Sequence, residues 1–76
     1  MSPTVRITGW RKGLQKISMT KAIQRSAALG LADAKSCTDR VLNGETVDVS
    51  VRDAKAAREL AQELQALGAD AGVVDN

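Results

Sequence analysis

Few side chains in this sequence could do chemistry. They are Cys37, Trp10 with Arg11 and Lys12, and a stripe of Lys16, Ile17, Lys21 and Gln24. There is no histidine, which removes the commonest general base, the commonest metal ligand and any Ser–His or Cys–His nucleophile pair. A lone cysteine builds neither a usual zinc site nor an internal disulfide. Asp33 and Asp39 would lie about 120° out of register on one helix, so they are not a paired-carboxylate site. We therefore expect a non-enzyme, without metal or cofactor, whose chemistry is that of binding.

Charge placement points the same way. The net charge is +2 over 76 residues, but Arg6, Arg11, Lys12, Lys16, Lys21 and Arg25 occupy residues 1–25 without a single acid. The acids Asp53, Glu59, Glu63, Asp70 and Asp75 dominate the last third, against Lys55 and Arg58. A basic face and an acidic face follow, and a basic face suits an acidic protein or a nucleic acid; an ordinary solvated surface would show the same charges. The sequence has no signal-peptide pattern and no run long enough to span a bilayer. With its single thiol it reads as a cytoplasmic monomer that makes no membrane contact.

The elements that must position these residues are legible in the patterning. Thr4–Thr8 alternates, with Val5 and Ile7 inward, and predicts a strand after Pro3. Gly9–Gly13 reads as a loop carrying Trp10, which either caps the core edge or stacks on a ligand. Lys16–Ala28 predicts a helix with Met19, Ala22, Ile23 and Ser26 inward; Ile17, Lys21, Gln24 and Ala28 lie outward, flanked by Thr20 and Arg25. Gly30 is the expected left-handed residue that ends it. Ala32–Leu42 predicts a second helix with Ala34, Cys37, Thr38 and Val41 inward and Leu31 packed at the hinge, stopped by Asn43-Gly44. Lys35, Ser36, Asp39 and Arg40 point outward.

Thr46–Val51 predicts a strand with Val47, Val49 and Val51 inward. Asp53 caps a helix over Ala54–Leu67 whose stripe is Ala57, Leu60, Ala61, Leu64 and Leu67. Gly68 closes it, and Ala69–Asp75 is a weaker strand with Ala71 and Val73 inward. The expected fold is one α+β domain over residues 1–76. It has two layers in the order β-α-α-β-α-β, with three helices on one face of a three-stranded antiparallel or mixed sheet.

The residues Lys16-Ile17 through Lys21-Ala22-Ile23, then Leu29-Gly30-Leu31-Ala32-Asp33-Ala34-Lys35 and later Gly68-Ala69-Asp70-Ala71, resemble the C-terminal domain of the bacterial ribosomal stalk protein (large-subunit protein seven/twelve). The resemblance runs from about Val5 to Val74. It implies the same fold and a role in recruiting translation GTPases through the outer face of the helical hairpin. Carried over by position, the contact set is Lys16, Ile17, Ser18, Met19, Thr20, Lys21, Gln24, Gly30, Leu31, Asp33 and Lys35. Apart from the resemblance, the basic loop and helix residues Trp10, Arg11, Lys12 and Arg25 are expected as accessory contacts. The chain departs from the family at Thr20, usually aliphatic, at Gln24, usually arginine, and in the Asn43-Gly44-Glu45 loop. Without the stalk's dimerising domain and hinge it is expected to be a free-standing relative. The expected partner is an acidic protein, with a translation GTPase as the family's example; a nucleic acid bound through the basic N-terminal third is the alternative.

Overall fold

The computed structural model describes residues 3–74. Its elements are β1 (Thr4–Trp10), α1 (Lys16–Ala27), α2 (Leu31–Leu42), β2 (Val47–Ser50), α3 (Ala54–Leu67) and β3 (Ala69–Val74). The strands form an antiparallel sheet in the order β2-β1-β3. The α+β, β-α-α-β-α-β architecture is therefore the observed one.

The strand period of two sorts the side chains. Val5, Ile7, Val47, Val49 and Val51 turn inward and are buried. Arg6 and Asp48, directly opposite each other in the register, stay exposed and form a two-bond ion pair at 2.9 and 3.1 Å. The helices close the inner face with Met19, Ala22, Ile23, Ala34, Val41, Ala57, Leu60 and Leu64. Among the described residues no buried side-chain polar atom lacks a partner.

Helix ends explain the connections. The carboxylate of Asp53 accepts the Ala56 backbone N–H at 2.7 Å and starts α3. Gly68 ends α3 at φ 108°, and a Cβ there would sit 3.0 Å from the Leu14 backbone. Only glycine meets both demands. The Arg11 N–H donates to the Gly68 carbonyl at 2.8 Å and the Gln15 N–H to the Leu67 carbonyl at 3.0 Å, which pins the segment after β1 to this helix end.

Several expectations are corrected. The left-handed residue at the hairpin is Ala28, at φ 53°, not Gly30. Gly30 is extended (φ −68°, ψ 161°) and is the N-cap of α2. The helix ends one residue early because the turn at Ala28 lets Leu29 pack against the core. Leu31 does not pack at the hinge; it is 60% exposed. Trp10 belongs to β1 and not to a loop, because β3 begins right after Gly68 and offers it Ala69 as a partner across a bulge between Ile7 and Gly9. Ser26 is only half-buried. Val73 pairs with buried Val5 but remains exposed at the sheet edge. Asp75, the expected end of the last strand, lies outside the described residues.

Candidate protein-interaction site

Two helices joined by three residues can either splay or stay together. Here they stay together, and Thr20 and Thr38 show it. Each lies seven positions from the hinge end of its helix, about 10 Å along the axis, and their hydroxyl oxygens still meet at 2.8 Å. The Thr20 hydroxyl also reaches the Lys16 carbonyl (3.0 Å) and the Thr38 hydroxyl the Ala34 carbonyl (3.4 Å). This local bonding satisfies two hydroxyls buried between the helices. It also corrects the outward placement of Thr20, which is almost fully buried.

Because the seam between α1 and α2 is floored by two small side chains, a groove of about 350 Å³ runs along the outer face of the hairpin. Lys16, Ile17, Thr20 and Lys21 form its α1 wall. Leu31, Lys35, Thr38, Asp39 and Leu42 form its α2 wall. Ile17 is 74% exposed and Leu31 60% exposed, so two large apolar side chains stand in water at its lip. Such surface is unfavourable in water by about 25 cal/mol per Å² and gains on being covered.

The electrostatics are simple. Lys16, Lys21 and Lys35 are exposed and make no ion pair among the described residues. Elsewhere Arg25 pairs with Glu63, Arg40 with Glu45 and Arg11 with Asp70. Three unneutralised cations around an apolar cleft make a surface that complements negative charge and gains on being covered.

Of the contact set expected from sequence, Lys16, Ile17, Thr20, Lys21, Leu31 and Lys35 are brought together in this groove. Ser18, Gln24, Gly30 and Asp33 do not line it. Met19 is fully buried in the core and cannot contact a partner, a correction to its place in that set. The accessory residues lie off the groove too. Arg11 is held by Asp70 and the Gln65 carbonyl, Arg25 by Glu63, while Trp10 (46% exposed) and Lys12 remain open to solvent. Sequence reasoning missed Thr38, Asp39 and Leu42. The helical spacing Leu31, Lys35, Thr38, Asp39, Leu42 carries the signal, since those positions share one face.

Cys37 is half-buried beside the core, outside the groove. Burial pushes its thiol up from the usual range; nearby Arg40 opposes this and Asp33 adds to it. Among the described residues no group of His, Cys, Asp and Glu side chains has the makings of a metal site, and no helix is long and apolar enough to cross a membrane. No protein-family model matches the sequence, and no curated protein does.

Proposed function

We propose that this chain is a non-catalytic interaction module that binds an acidic segment of a partner protein in the groove between α1 and α2. One observation carries the reading: an apolar cleft with Ile17 and Leu31 standing exposed at its lip, ringed by Lys16, Lys21 and Lys35, whose charges the described residues leave unneutralised. A cleft of this size takes one or two apolar side chains, and the lysines give the encounter its direction. The absence of histidine from the sequence supports binding over catalysis. The resemblance to the ribosomal stalk C-terminal domain makes a translation GTPase in the cytoplasm the first partner to examine, with this chain acting as a monomer. Thr20 at the groove floor and Gln24 beside it differ from that family, and they favour a partner that has changed along with them.

The test is a lysate pull-down under nuclease treatment, comparing wild type with the Lys21→Glu/Lys35→Glu variant. A protein captured by wild type and lost with the variant is the expected result. A second reading, nucleic-acid binding, draws on the exposed Trp10 beside Lys12. It predicts capture that nuclease abolishes, that the charge reversal on the hairpin spares, and that falls steeply with salt.

A further inference from the structure

The two walls of the groove differ in charge. The α1 wall contributes Lys16 and Lys21 and no acid. The α2 wall sets Asp39 one helical turn after Lys35. Asp48, Glu45, Glu63 and Asp70 each sit within ion-pair distance of an arginine; Asp39 has no such partner among the described residues. Nor does the groove floor serve it. The Thr20 and Thr38 hydroxyls are engaged with the Lys16 and Ala34 carbonyls and with each other. Asp39 therefore lines the cleft as an exposed acceptor without a charged partner among the described residues.

A segment seated in the groove strips water from that carboxylate. The loss is costly unless the segment brings a donor of its own, and a charged donor compensates best. Resting on the reading of the groove as a protein-binding site, we infer that Asp39 is its specificity-determining residue. It selects an acidic segment that also carries one lysine or arginine, and it turns away uniform polyanions. The lysines hold the segment's acids, Ile17 and Leu42 take its apolar side chains, and Asp39 pairs with its single cation. A nucleic acid carries a negative charge at every backbone step, so a strand lying along the lysines would set a phosphate against Asp39. The same carboxylate thus separates an acidic protein from DNA or RNA at a surface whose lysines would attract both.

The test is selection from a random dodecamer peptide library displayed on phage, against the full chain and against Asp39→Asn, whose folding is checked by thermal melting. Selected peptides are then titrated as soluble species beside a variant with the cation replaced by Glu and beside a single-stranded oligonucleotide. Wild type should enrich acid-rich peptides with a lysine or arginine at one fixed position. Replacing that cation should weaken binding by about fivefold or more, the scale of one ion pair or charged hydrogen bond. Asp39→Asn should shrink that discrimination to about twofold and strengthen oligonucleotide binding. Acidic peptides without a cation, or a preference that survives Asp39→Asn, would overturn the role of Asp39 and leave the groove standing. If no enriched peptide loses binding with the Lys21→Glu/Lys35→Glu variant, the groove reading fails, and this inference with it.

Discussion

At the junction of α3 and β3 the polar groups close on one another: Arg11 grips Asp70 and the Gln65 carbonyl, and the Gln65 amide donates to the Ala71 carbonyl at 2.8 Å. On the outer hairpin, Lys16, Lys21, Lys35 and Asp39 find no ion-pair partner among the described residues, and two large apolar side chains stand in water beside them. The first region is built of bonds that close the fold on itself. The second leaves the same kinds of group unsatisfied. A small domain with modest stability has little reason to expose Ile17 and Leu31 together unless something covers them.

The contrast can be broken by substitution, and the largest effect should come from the closed region. Gly68→Val places a β-branched side chain at φ 108° and against the Leu14 backbone. It should cost about 1–3 kcal/mol, with the melting temperature falling by about 4–8 °C for each kcal/mol. A melt unchanged from wild type would show that this helix end is not under the constraint described.

Next is the seam beneath the groove. Thr38→Val alone removes one hydroxyl of the buried pair and should cost about 1 kcal/mol, whereas the Thr20→Val/Thr38→Val double variant should cost less than the sum of the two singles. Strict additivity in denaturant unfolding would mean that the two hydroxyls do not depend on each other.

The hairpin turn should respond in the reverse sense to what its sequence suggests. Ala28→Gly should stabilise by about 0.5–1 kcal/mol because Ala28 is the left-handed residue. Gly30→Ser should be neutral or slightly stabilising as a helix N-cap. A destabilising Gly30→Ser together with a neutral Ala28→Gly would restore the opposite assignment.

The smallest effect belongs to the open sheet face. The hydrogen bond from Arg6 holds the Asp48 carboxyl below its ordinary range, against the opposing effect of desolvation and with the further aid of the Arg6 charge. A carboxylate whose pKa is depressed by folding contributes stability above its unfolded pKa and loses it as pH falls through the folded one. Asp48→Asn should therefore lower the neutral plateau slightly, leave the acid end where it is, and so flatten the acid limb. An acid limb identical to wild type would show that the pair contributes nothing. The Lys21→Glu/Lys35→Glu variant should melt like wild type, since neither lysine supports the fold.

Much of this molecule is legible in its sequence where the pattern is long and local. The stripe of Ala57, Leu60, Ala61 and Leu64, with Asp53 before it and Gly68 after it, specifies α3 to the residue. The valines at positions 47, 49 and 51 specify the buried side of β2. What sequence hides is set by contacts between elements. Thr20 lies near the wheel boundary, and only its pairing with Thr38 draws it inward. Gly30 looks like a helix stop until Leu29 is seen to need the core, which moves the turn to Ala28. Trp10 becomes a strand residue only because β3 starts opposite it. For the site, the lysines and Ile17 are visible on α1, while the α2 wall with Asp39 emerges only once the two helices are set side by side.

The most direct measurement is site-specific photo-crosslinking in lysate, with a photoreactive amino acid placed at Ile17 on the groove lip and, separately, at Thr8 on the opposite face of the sheet. The account predicts discrete protein adducts from position 17 that disappear when Lys21→Glu and Lys35→Glu are added, and none of these adducts from position 8. Adducts to nucleic acid at position 17, or the same protein adducts from both positions, would contradict it.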